Sequence, residues 1–169
     1  MSKRMFVCAL ILALVPMAHP QEVAVWSVDP LVKVFRDATP GKGARAVADV
    51  ARGEHASLQM VVRSDEAITG LRAEVTPFTE KGGSESLTAI APRFVGYVSV
   101  DRPIHNPPKD QLRMPPADFP DPLMEVEQVD VAAGQAQPVW VTVKVPLDAK
   151  PGTYSGELRL TGAIEGKAV

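Results

Sequence analysis

QPVWVTVKVPLDAKPGTYSGELRL, residues 137–160, carries two strands and the corner that joins them. Val139, Val141, Val143 and Val145 fall on one face of an extended chain, and Trp140, Thr142 and Lys144 on the other, because successive strand side chains point to opposite sides. Pro151-Gly152 interrupts the run, after which Tyr154, Gly156, Leu158 and Leu160 alternate with Ser155, Glu157, Arg159 and Thr161. The intervening LDAKPGTY (147–154) has the form of a tyrosine corner, in which a Tyr hydroxyl reaches back to a backbone group near a Greek-key crossing. Pro151, Gly152 and Tyr154 are the structural residues of that corner, and Leu147 to Lys150 should supply the acceptor.

The same period recurs upstream. Leu31–Phe35 and Ala46–Val50 read as short strands, and Arg52-Gly53-Glu54-His55 as a turn. Ala56, Leu58, Met60 and Val62 then point one way, with Ser57, Gln59 and Arg63 on the opposite, solvent-facing side. Leu71–Val75 and Phe94–Val100 are further strands, the second with Gly96 as a bulge, and KGGSES (81–86) is a turn. Windows with helical period are poor. The pattern predicts an all-β fold: an antiparallel β-sandwich of seven or eight short strands, immunoglobulin-like or Greek-key, with the valines and Leu58, Met60 and Val62 in one core.

Seven of the chain's 16 prolines fall between residues 103 and 122. Proline fixes φ and removes a ladder donor, so this stretch is expected to be a stiff loop, neither helix nor central strand. A loop of that length is either an interface or a cover over a sheet edge. Its charged and aromatic members Arg113, Asp118, Phe119 and Asp121 are candidate interface or glycan contacts. Trp140 joins them: out of phase with the valines, it suits sugar stacking, contact with another domain, or burial under the proline loop.

Lys3 and Arg4 precede an apolar run, Met5–Val15, closed by Pro16. That is a secretory leader over residues 1–18, with cleavage as late as about residue 21, and it is too short to span a membrane. Residues 22–169 then form one domain, secreted or periplasmic. Cys8 lies inside the leader run and is the only cysteine, so neither a disulfide frame nor a thiolate metal site is expected. The chain has 18 basic and 20 acidic residues. Without Lys3 and Arg4 the balance is 16 to 20, with no basic stripe, which argues against nucleic acid and anionic membranes as partners.

Few residues invite catalysis. His19, His55 and His105 have no metal-ligand spacing, and no nucleophile elbow, phosphate loop or HExxH occurs. No cofactor is expected. Paired carboxylates are the chemistry of glycoside hydrolysis, and three groups qualify by proximity: Asp65-Glu66, Asp118 with Asp121, and Glu125 with Glu127. Their settings read more simply as a solvated turn, turn caps beside proline, and an exposed strand face respectively.

RGEHASLQMVVR (52–63), LRMPPADFPDPL (112–123) and QPVWVTVKVPLDAKPGTYSG (137–156) together resemble the N-terminal β-sandwich of glycoside hydrolase family 123. The resemblance spans roughly residues 25 to 162. It implies a secreted β-N-acetylgalactosaminidase-like enzyme, in which this non-catalytic domain buttresses a (β/α)8 barrel in cis. The family's adjacent Asp-Glu pair lies on that barrel. Asp65-Glu66 does not match that motif, so no catalytic residue transfers. By that resemblance the chain is expected to lack both the barrel and the final strand that should follow Gly162–Gly166, and so to be incomplete at its C-terminus. The competing expectation is an independent carbohydrate-binding or cell-surface adhesion module.

Overall fold

The computed structural model describes residues 23–169, so the leader lies outside the described residues. Three antiparallel sheets are present and no helix occurs among the described residues. The strands are β1 Val23–Val28, β2 His55–Ser64, β3 Ile68–Val75, β4 Phe78–Glu80, β5 Ser86–Leu87, β6 Ala89–Val100, β7 Ala117–Met124, β8 Val129–Val131, β9 Ala136–Lys144, β10 Tyr154–Ser155, β11 Leu158–Ile164 and β12 Lys167–Ala168. The large sheet runs β1-β2-β9-β6-β7; facing it are β12-β11-β3-β8 and the small β10-β4-β5. This is the expected β-sandwich, with seven strands of six residues or more.

The valine alternation works as the period requires, and Val139, Val141, Val143 and Val145 are all buried. They do not share one core. Val139 and Val62 pack with Phe94, Ile68, Leu71, Val131 and Ile164. Val141, Val143 and Val145 pack with Ala56, Leu87 and Ala149, and with Leu58 at the margin. The division follows the two facing sheets, one above each half of β9. A buried side chain of this size contributes roughly 1.5–3 kcal/mol over its exposed state, so the two clusters dominate the stability.

Several expectations are corrected. Leu31–Phe35 and Ala46–Val50 join no sheet. Val34 is buried, but against the outer face of the large sheet with Trp26, Val61 and Ala136. That layer also explains why Gln59, expected at the surface, is 3% exposed, and Val61 fully buried. β2 is therefore covered on both sides. β1 was not foreseen. The proline segment ends earlier than expected, because Ala117–Met124 is a strand. It lies at the sheet edge, where Pro120 and Pro122 remove no central ladder bond. Glu125 and Glu127 follow that strand rather than lying on one, and pair with Arg93 and, at 3.4 Å, Arg72.

Gly96 does mark a bulge: the β6–β7 register shifts between Val95 and Tyr97. A Cβ there would lie 2.9 Å from Pro122 Cγ and Met124 Sδ, so only glycine permits the approach. β11 and β12 form a hairpin across Glu165 and Gly166, both with positive φ (49° and 76°), as the tight turns favoured by strand twist require.

Candidate functional site

The block RMPPADFPD (113–121) meets KVFRD (33–37) side chain by side chain. Lys33 Nζ donates to Pro120 O at 2.9 Å and sits 3.1 Å from Asp121 Oδ1. Arg36 Nε is 3.4 Å from Asp118 Oδ2. Arg113 donates to both carboxylate oxygens of Asp37, at 2.7 and 3.0 Å. The partners rise in number on one segment as they fall on the other, which is an antiparallel match. Phe35 and Phe119 meet edge to face at 5.6 Å. The guanidinium of Arg113 lies 4.0 Å above the Phe35 ring, so charge and aromatic contacts interlock.

Backbone bonds fix the 29–38 segment from below. Gln59 Nε2 donates to Asp29 O and Val32 O, both at 3.1 Å. Ala136 N–H donates to Arg36 O at 2.7 Å, and Arg63 to Ala38 O at 2.8 Å. The Tyr97 hydroxyl lies within reach of two carbonyls, Val34 at 3.1 Å and Ala136 at 3.2 Å. Burial pushes the Tyr97 phenol up to about 12, because the phenolate would be desolvated against carbonyl oxygens. Arg36 lies 4.0 Å from the same ring centroid. The Arg113 hydrogen bond holds the Asp37 carboxyl below the usual carboxylate range.

Trp140 is half-buried on this outer face. With Lys33, Pro120, Asp121, Leu123 and Leu31 it lines a recess of about 220 Å³. The structure thus brings together Arg113, Asp118, Phe119, Asp121 and, beside them, Trp140. It leaves Pro151, Gly152 and Tyr154 elsewhere, beside the small sheet. There the Tyr154 hydroxyl donates to Lys150 O at 3.0 Å, within the stretch the LDAKPGTY spacing indicates. Glu85 stands 3.4 Å from that hydroxyl and 2.6 Å from Lys150 Nζ. The Lys150 bond lowers the Glu85 carboxyl, and the same bond raises the Lys150 ammonium.

Sequence reading missed Lys33, Phe35, Arg36, Asp37, Gln59 and Tyr97. One signal was available for four of them: KVFRD carries, in reverse order, the charges opposite to those of RMPPADFPD and a phenylalanine to meet its own. Nothing in a period-two reading looks for that.

The chemistry of the site is adhesive. Asp37, Asp118 and Asp121 each face a cation, whereas a glycosidic general acid needs an environment that keeps its proton on at neutral pH. Asp65 and Glu66 are exposed in the turn between β2 and β3. No cluster of His, Cys, Asp and Glu suited to a metal ion occurs among the described residues.

The family model of the glycoside hydrolase 123 N-terminal domain matches residues 23–162. The chain belongs to this family. A solved family 123 glycoside hydrolase from Clostridium perfringens, studied for glycolipid glycan hydrolysis, shares the fold with a TM-score of 0.54 at 15% identity. The match covers 69% of this chain and 20% of that one, so the chain spans about a fifth of the solved enzyme. No curated protein matches the sequence. The matched range takes in both halves of the clamp, 33–37 and 113–121, together with Trp140. No described helix of this family 123 domain is long and apolar enough to cross a membrane.

Proposed function

We propose that this domain is the non-catalytic front module of a secreted or periplasmic glycoside hydrolase of β-N-acetylgalactosaminidase type, packing in cis against a catalytic barrel. The observation that carries the reading is the occupation of the acidic block, 118–121, by its own chain. Asp118 and Asp121 are paired with Arg36 and Lys33, and Phe119 packs edge to face against Phe35. Residues that first suggest a glycan cleft are spent in holding an outer layer onto the sandwich. The family match over residues 23–162 supports a glycoside hydrolase as the parent enzyme.

An independent carbohydrate-binding module is the second reading. Its support is the Trp140 recess, which sets a half-exposed indole beside Lys33 and Asp121. At about 220 Å³ the recess is smaller than ligand pockets usually are, which favours the accessory role. Titration with an oligosaccharide ending in N-acetylgalactosamine, followed by tryptophan fluorescence, separates the two. The accessory reading expects no saturable change with the chain alone. A saturable change that vanishes in Trp140→Phe would replace it with the binding module. Trp26 is buried at 3% exposure and should stay silent.

A further inference from the structure

A cleft of about 790 Å³ opens between the large sheet and the small β10-β4-β5 sheet. That volume lies in the range of small-molecule pockets, roughly 300–1,000 Å³. Leu58, Val143 and Val145 line it from the side of the large sheet, and Phe78 and Leu87 from the side of the small one. None of these five side chains can make a hydrogen bond, so the floor suits a part of a ligand that has no polar groups. The Tyr154 hydroxyl, on the same wall, is already engaged by Lys150 O.

The mouth has a different character. The segment 45–52 (RAVADVAR) runs along it. It is held at both ends: Ser27 Oγ donates to Arg45 O at 2.9 Å, and Ala51 N–H to Glu54 Oε2 at 3.2 Å. Among the described residues no main-chain hydrogen bond reaches residues 46–50 between those ties. Val47 and Val50 are 70% and 38% exposed there. Arg45 and Arg52, one at each end, pair with no carboxylate among the described residues, Asp49 of the same segment included. Lys150, the third cation of the lining, is held by Glu85. An apolar floor thus lies beside two unpaired guanidiniums.

We propose that this cleft binds a single-chain amphiphile with an anionic head, the alkyl chain lying between the sheets and the head meeting Arg45 and Arg52. Burial of the chain supplies most of the affinity. The guanidinium forks, which match a carboxylate in geometry as well as charge, select the head. A sugar would leave its hydroxyls unmatched against the floor, and a cationic amphiphile would meet like charge at the mouth. The segment 46–50, tied only at its ends, is free to settle its valines onto the entering chain. The site does not rest on the accessory reading. It lies on the inner face of the large sheet, whereas the clamp and Trp140 lie on the outer one.

Methyl NMR of the purified chain, titrated with decanoate below its micelle concentration, is the test. Saturable shifts are expected at Leu58, Leu87, Val143 and Val145, joined by Val47 and Val50, while Val62 and Val139 of the neighbouring cluster stay in place. Decyltrimethylammonium should bind about three- to tenfold more weakly than decanoate. Arg45→Gln/Arg52→Gln, at two exposed positions, should weaken decanoate by a similar factor and should not weaken the ammonium compound. The absence of saturable shifts at the cleft methyls would overturn the proposal. So would equal binding of the two amphiphiles, or an unchanged decanoate affinity in the double variant. None of these results bears on the accessory function, which is read by the sugar titration at Trp140.

Discussion

The inner core and the outer clamp of this sandwich are built by opposite means. Between the sheets, Val139, Phe94, Ile68 and Ile164 are all but removed from solvent and carry no polar partner. On the outer face, the 33–37 segment is fixed by carbonyl acceptors, guanidinium stacking and ion pairs whose side chains are mostly a third to three-quarters exposed. Apolar burial is non-directional and large, whereas exposed ion pairs are individually worth about 0–1 kcal/mol. The core should therefore decide whether the domain folds, and the clamp should decide only where one loop lies.

Substitutions can break that division. Phe94→Ala removes the largest fully buried side chain and should cost about 3–5 kcal/mol, read as a lower denaturant midpoint at unchanged slope. A loss no greater than that of a clamp variant would undo the contrast. Tyr97→Phe strips the hydroxyl that serves the Val34 and Ala136 carbonyls and should cost about 1–3 kcal/mol, with faster exchange confined to residues near 29–38.

Tyr97 also predicts a pH effect with a definite sign. Its folded pKa, about 12, stands above the ordinary tyrosine value of 10.0. Its contribution is therefore complete below pH 10 and lost as pH rises towards 12. Alkaline melting curves of the parent and Tyr97→Phe should converge over that interval.

Tyr154→Phe should matter less, about 0.5–1.5 kcal/mol, because its bond to Lys150 O is exposed. The smallest effect belongs to Arg113→Gln. Asp37 is held below its ordinary value by Arg113, so its stabilisation is present above that ordinary value and lost as pH falls through the lowered one. In the variant the Asp37 titration followed by NMR should move up towards the ordinary carboxylate range, while the neutral-pH denaturant midpoint stays nearly unchanged.

The same contrast explains what the sequence made legible. Alternation is local, so β2, β3, β6, β9 and β11 and the Gly96 bulge could be read from neighbouring residues. The clamp is a match between segments about 80 residues apart, and its members look like ordinary surface charges until they meet. Leu31–Phe35 shows the cost of that blindness. Its alternation is real and Val34 is buried, but the burial comes from lying across a sheet rather than within one. Gln59 was misplaced for the same reason. For the site, position was legible and role was not: Arg113, Asp118, Phe119, Asp121 and Trp140 do gather in one region, yet all but Trp140 are engaged by partners that no periodicity reveals.

The central claim is that this acidic block is an internal fastening of a non-catalytic domain. Turnover of an aryl β-N-acetylgalactosaminide by the purified chain tests it most directly. The account predicts no hydrolysis above buffer, for the parent and for Asp118→Asn/Asp121→Asn alike. Measurable turnover in the parent that disappears in the double variant would contradict it.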